Sequence, residues 1–169
     1  DKLEGLIGYV SQDDLLIEEL SVYQNIYFNA KLCFGQLSDY EIKKKVIDTL
    51  RAVGLYEIKD LIVGSPLEKV ISGGQRKRLN IALELIREPE ILIVDEPTSG
   101  LSSRDSENIM DLLKEMTYSG KLIFVVIHQP SSDIFKLFDR LFIIDQGGYP
   151  IHDGNPIEAV TYFKHTMHQ

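Results

Sequence analysis

The sequence has a single cysteine, Cys33, so no internal disulfide can form, which suits a reducing compartment. Its place in a helical pattern reads as a small apolar filler. Long hydrophobic runs are also missing. The longest, such as Leu122 to Ile127, fall far short of the ~20 residues that cross a ~30 Å hydrocarbon core. No signal-peptide pattern is present either, so a membrane role has to come through a partner or through sequence beyond these residues. Positive charge is in deficit, with a net charge of −8 and a pI near 5.0. That removes the electrostatic footprint of a nucleic-acid binder, and no nucleic acid is expected as partner. It does not exclude local anion binding by backbone amides. His152, His165 and His168 have no metal-like spacing and read as surface residues. What remains is an ordinary globular composition, 44% apolar and 26% charged over 169 residues, enough for one domain or part of one with a real core.

Gly5 to Val10 is a short apolar run entering the polar loop Ser11-Gln12-Asp13-Asp14, which predicts a strand. Ser21 to about Phe34 predicts a helix. Ser38 with Glu41 forms a capping-box pattern, followed at helical spacing by Ile42, Val46, Leu50 and Val53, with Gly54 as the left-handed stop. Residues 55–70 read as irregular. Ser72 with Gln75 is a second capping box; it opens a helix with Leu79, Ala82, Leu83 and Ile86 on its apolar side, ended by Pro89.

Ile91 to Val94 is a β-branched run of the kind buried on both faces of a parallel sheet, and Leu122 to Ile127 is a second. Between them lies a helix from about Ser103 to Tyr118, and after them a short helix from about Ser131. Leu141 to Ile144 turns at Gln146-Gly147-Gly148 into Tyr149 to His152, and Asn155-Pro156 caps a final helix. Alternating strands and helices in the second half predict an open α/β sheet with right-handed crossovers, and the helical first half predicts an α-helical insert after the first strand.

Two places carry chemistry. Asp95 and Glu96 follow Ile91-Leu92-Ile93-Val94, which puts two carboxylates at the C-terminal edge of a sheet, where α/β proteins bind ligands. One can serve Mg²⁺ and the other can orient or deprotonate water. Taken alone, the pair is equally a polar loop after a strand. Ser72-Gly73-Gly74-Gln75 opens a helix with bare glycine amides, which suits a phosphate because amide donors and helix dipole point the same way; the plainer reading is a cap with glycines for a tight turn. Arg76-Lys77-Arg78 reads as a solvated basic face.

Together these segments resemble the ATP-binding cassette family. Ile71-Ser72-Gly73-Gly74-Gln75 looks like that family's signature motif, about 20 residues before the Walker B strand that ends in Asp95-Glu96. Gln12 matches the Q-loop, Ser99-Gly100-Leu101-Ser102 the D-loop, and His128 the switch histidine. The order of the motifs covers essentially the whole chain. The stretch Ile127-His128-Gln129-Pro130-Ser131-Ser132 through Phe135, Phe138 and Asp139, with Glu96-Pro97-Thr98-Ser99-Gly100-Leu101, resembles the White or eye-pigment branch, the G subfamily.

The resemblance implies a P-loop NTPase-type (RecA-like) α/β domain, with a helical subdomain at about 18–88 and an α/β core at 1–17 and 89–169. It implies an ATPase that energises transmembrane transport, an exporter at the cytoplasmic face of a membrane, with ATP and Mg²⁺ as cofactors. Its partners would be a second cassette, as homo- or heterodimer, and a transmembrane domain in the same or another chain. Asp95 would bind Mg²⁺, Glu96 would activate the attacking water, His128 would contact the γ-phosphate, and Gln12 would sense Mg²⁺ and water. Ser72, Gly73, Gly74 and Gln75 would reach the ATP held by the opposite copy of a head-to-tail dimer, the positioning work of phosphoryl transfer.

Two departures qualify this. No G-x-x-x-x-G-K-[ST] loop exists here; the only Gly-Lys pair, Gly120-Lys121, is followed by Leu122. The resemblance places that loop upstream of Asp1 and its strand between Leu122–Ile127 and Leu141–Ile144. The expectation is therefore a truncated, inactive domain with open apolar surface, a distorted last hairpin, self-association or marginal stability. Ser102 stands where the D-loop usually has aspartate, and reads as a degenerate position or simply as a helix cap. The competing functions are a soluble cassette ATPase of DNA repair or translation, disfavoured by the lack of heptads and basic surplus, and a non-catalytic interaction module.

Overall fold

The computed structural model describes residues 5–68 and 70–166, with the side chains of His165 and Thr166 left out. The expectation for His168 lies outside the described residues, as does that for the His165 side chain. The chain divides into two compact units, 1–128 and 129–169.

In the first unit, β1 (Ile7–Val10), β2 (Ile91–Asp95) and β3 (Leu122–Val126) form a parallel sheet in the order β1-β2-β3. Ile7 pairs with Ile91 and Ile91 with Leu122, so the three C-terminal ends lie side by side. Helices α1 (Val22–Cys33), α2 (Asp39–Ala52) and α3 (Gly73–Leu85) intervene between β1 and β2, and α4 (Ser103–Tyr118) between β2 and β3. Ile26 and Ala30 of α1, Val46 and Leu50 of α2, and Leu79 and Ala82 of α3 share one buried core. The apolar residues recur at helical spacing, and burying that stripe stabilises helices too short to persist alone.

Local signals set the helix ends. Ser21, Ser38 and Ser72 each cap a helix through its third residue, and Gln24, Glu41 and Gln75 bond back to complete the box. Gly54 takes φ +67°, the left-handed stop read from the sequence, and the Leu55 amide reaches the Leu50 carbonyl beneath it. Ser102 caps α4. The described residues between 55 and 68 include a short 3₁₀ turn, Tyr56–Ile58, and an isolated bridge from Ser21 to Ile62.

The sheet corrects one expectation. Its strands are not buried on both faces: Gly8, Val10, Leu92 and Val94 are covered, whereas Tyr9, Phe124 and Val126 are each 54% exposed and Leu122 52%. α3 packs on β1 and α4 on β3. A continuous apolar strand is thus compatible with one open face, because strand propensity measures fit to a pleated surface and says nothing of what covers it.

The second unit contains a one-turn helix α5 (Ser132–Phe135), an antiparallel hairpin β4 (Leu141–Ile144) and β5 (Pro150–Gly154), and α6 (Pro156–Thr166). The hairpin carries a register shift between Ile143 and Ile144. Arg140 grips Asp153 through both carboxylate oxygens at 2.7 and 2.8 Å, which holds that carboxyl below its usual range. The Asn155 side chain accepts the Ile157 amide at 2.8 Å, so the predicted cap forms. His152 is half-buried, with Nε2 shielded from solvent, a departure from the surface position expected for it.

Candidate active site

The parallel register puts Gln12, Glu96 and His128 just past the ends of β1, β2 and β3, on one edge of the sheet. Gln12 donates from Nε2 to Glu96 Oε2 at 3.2 Å, joining residues far apart in sequence. Asp95, the last residue of β2, accepts from the Tyr9 hydroxyl at 3.0 Å. That bond holds the tyrosine's proton more firmly, because ionising the phenol would place a second negative charge against Asp95. His128 is exposed at the bend following β3.

Glu96 sits at φ +41° and Gln129, next to His128, at φ +48°. Both are non-glycine residues in the left-handed region, a conformation that costs energy and persists only where its surroundings impose it. For Glu96 part of the restraint is visible. Its amide donates to the Val126 carbonyl at 2.9 Å, which extends the ladder one residue past β2, and its carbonyl accepts the Ser99 amide at 3.2 Å. The chain therefore turns sharply at the carboxylate. Gly100, at φ +71°, completes that turn before Ser102 starts α4.

The tip of α3 differs from its sequence-based picture. Ser72 Oγ is occupied by the Gln75 amide at 3.1 Å, and the Ser72 amide by Gln75 Oε1 at 2.7 Å. The glycines do not make a tight turn, since both lie within the helix without positive φ. Gly74 is a glycine for lack of room: a Cβ there would stand 2.7 Å from Asp105 Oδ1, and one on Gly73 3.2 Å from Leu101 Cδ2. Ser72 and Gly73 stay exposed while Gly74 is covered, and the Ser72 and Gln75 amides are both taken up by the capping box.

The basic triplet is a second correction. Arg76 and Lys77 are 7% and 8% exposed, and neither belongs to a solvated face. Arg76 donates from Nε to Asp14 at 2.9 Å and from a terminal nitrogen to the Gly64 carbonyl at 2.6 Å. Lys77 donates to the Gln12 carbonyl at 2.8 Å. Burial lowers the Lys77 pKa, and the carboxylates of Asp14, Asp13, Asp95 and Glu96 oppose that shift. Asn80 donates to the Ser11 carbonyl at 3.3 Å and accepts from the Leu15 amide at 3.4 Å. Sequence reasoning missed Tyr9, Arg76, Lys77 and Asn80. The available signal was the helical spacing of positions 76, 77 and 80, which puts three polar side chains on one side of the helix beside buried Leu79, Ile81 and Ala82.

Comparison with known proteins now bears on this geometry. The family model described as ABC transporter matches residues 1–99. The chain belongs to the ABC transporter family. Its relatives include the bovine (Bos taurus) broad substrate specificity ATP-binding cassette transporter ABCG2, 41% identical over 92% of this chain and 24% of that protein. ABC transporter G family member 28 of Arabidopsis thaliana is 38% identical over 94% of this chain and 14% of its own length. Putative white-brown complex homolog protein 30 from the same plant is 35% identical over 94% and 15%. These place the ABC domain with the G subfamily, and it spans about a quarter or less of the length of those relatives. Among solved structures, cbiO1 from Clostridium perfringens, part of the ABC transporter complex cbiONQ, superposes with a TM-score of 0.81 at 36% identity, covering 95% of this chain and 61% of that one.

The donor set of this ABC domain fits magnesium only in company with a phosphate. Among the described residues no group of His, Cys, Asp and Glu could cage a metal alone. Mg²⁺ commonly takes one or two carboxylates and completes its shell with water and substrate oxygens, and Asp95 at an open sheet edge suits that arrangement. Among the described residues no helix is long and apolar enough to cross a membrane.

Proposed function

We propose that this chain supplies the water-activating half of an ATP-hydrolysing cassette that energises export across a membrane. The observation that carries the reading is the Gln12–Glu96 hydrogen bond, which brings the predicted Q-loop to the second carboxylate of the Walker B strand. Glu96 is the general base or water-orienting group, Gln12 holds its carboxylate, and His128 approaches the terminal phosphate from the adjoining strand. Asp95, with Gln12, would hold Mg²⁺ beside the phosphates, where the ion supplies charge neutralisation. The exposed Ser72 and Gly73 at the α3 tip, with Gly74 and Gln75, serve the ATP of a second, head-to-tail copy, and Ser99 to Ser102 lie between the two. In this reading residues 18–88 act as a helical subdomain on a RecA-like core formed by 1–17 and 89–169. The transporter names of the relatives support a transmembrane partner; the place at the cytoplasmic face, and the choice of substrate by that partner, belong to the same proposal.

These residues include no phosphate-binding loop, so the chain alone hydrolyses ATP only at background. Joined behind the residues that precede the matched segment in the bovine relative, it gains Mg²⁺-dependent ATPase activity, and Glu96→Gln lowers the turnover by about a hundredfold or more. Equal turnover of the Glu96→Gln form, or brisk hydrolysis by the chain alone, contradicts the reading.

A further inference from the structure

Arg76, Lys77 and Asn80 project from one side of α3 onto the loop that carries Gln12, and together they take hold of residues 11–15. Lys77 contacts the Gln12 carbonyl, Asn80 the Ser11 carbonyl and the Leu15 amide, and Arg76 the Asp14 carboxylate. The Gln12 side chain in turn rests on Glu96. We infer that Lys77 is a positioning residue: its buried ammonium, fixed to the Gln12 backbone, sets the contact between Gln12 and Glu96. This rests on the reading above that Gln12 and Glu96 act together.

A buried ammonium is costly unless it is held by good acceptors, and an apolar side chain of similar shape would fill the same space. Lys77 has a specific acceptor, the backbone carbonyl of the residue whose side chain touches the second carboxylate. Arg76 and Asn80 bracket it on either side of the loop. A helix that moves at its tip therefore carries the Gln12 backbone with it, and the Gln12 amide follows. The hydrogen bond of Lys77 goes to the Gln12 carbonyl, whereas Glu96 feels its charge through space; Lys77→Arg, which keeps the charge, separates the two effects.

The test uses the 169-residue chain, Lys77→Met, which keeps the aliphatic stem, and Lys77→Arg, which keeps the charge. Nuclear magnetic resonance reads two signals. The Gln12 side-chain amide in Lys77→Met shifts to the position it takes when Glu96→Ala cuts the contact, and Lys77→Arg returns it toward the original. The Leu15 amide, held by Asn80, exchanges about tenfold faster or more in Lys77→Met. The Ile17 amide is held at 2.8 Å by Asn25 of α1 and stays within about twofold. A purely structural role speeds both amides alike and overturns the inference, as does a Gln12 signal that Lys77→Met leaves in place while Glu96→Ala moves it. If Lys77→Met does not fold, the unmodified chain decides: a nuclear Overhauser contact between Lys77 Hε and Gln12 Hα is expected, and its absence overturns the assignment. Because these signals need no nucleotide, their outcome is independent of the ATPase result.

Discussion

At the scale of single residues, the site combines strain, close approach and buried charge, and these were unequally visible in sequence. That Asp95 and Glu96 end a strand was legible from the change from apolar to polar side chains, Gln12 and His128 were picked out by their resemblance to family motifs, and parallel pairing brings all four positions to one edge. The left-handed backbone at Glu96 was not legible, since nothing about a glutamate announces positive φ. Gly74 was read as turn chemistry, but its reason is a long-range neighbour, Asp105, which no local pattern reveals. Gly74→Ala is expected to cost about 1–3 kcal/mol in denaturant unfolding, as overpacked positions do. Asp105→Ala in the same chain removes the two closest of the three clashing atoms and recovers part of that loss. Unchanged stability in Gly74→Ala would mean that the carboxylate swings aside without cost.

At the scale of elements, the helices were read well because their signals are local. A serine followed three residues later by Glu or Gln marked two starts, and glycine marked the end of α2. The basic triplet at the start of α3 was misread for the complementary reason. Adjacent charges look solvated, and only the packed loop shows that Arg76 and Lys77 turn inward. The start of α2 has an electrostatic consequence. Lys43 at 2.7 Å, the Tyr27 hydroxyl and Lys31 at 3.3 Å all favour the ionised Asp39, which lies well below the usual carboxylate range. Its stabilising contribution is therefore present above about pH 4 and is lost as the pH falls through the depressed folded value. Asp39 is exposed, so the effect is small and falls with added salt. Denaturation midpoints between pH 5 and 2 should decline less steeply in Asp39→Asn. An identical slope, or an Asp39 carboxyl titrating near 4 by magnetic resonance, contradicts the assignment.

At the scale of the whole molecule, the family and the α/β class were legible from motif order, whereas the open face of the sheet was not legible from the strands themselves. Ile7, Tyr9, Leu122, Phe124 and Val126 stand together on it. Exposed apolar surface of this kind binds the dye ANS and promotes association. Phe124→Ser should reduce dye fluorescence while changing stability by no more than about 0.5–1 kcal/mol. Leu92→Ala, from the fully covered face, should cost about 2–5 kcal/mol. Equal costs for the two would show that the open face is covered in solution.

The claim on which the function depends is that Glu96 of one copy and the Ser72 tip of another act on the same ATP. Complementation between copies tests it directly, with the chain joined to a phosphate-binding loop as above. Ser72→Arg and Glu96→Gln forms are each expected near background when assayed alone. Mixed in equal amounts and allowed to exchange, they form heterodimers in which one site has both intact partners, and about a quarter of the unmodified rate returns. A mixture no more active than its components would contradict a site shared between copies.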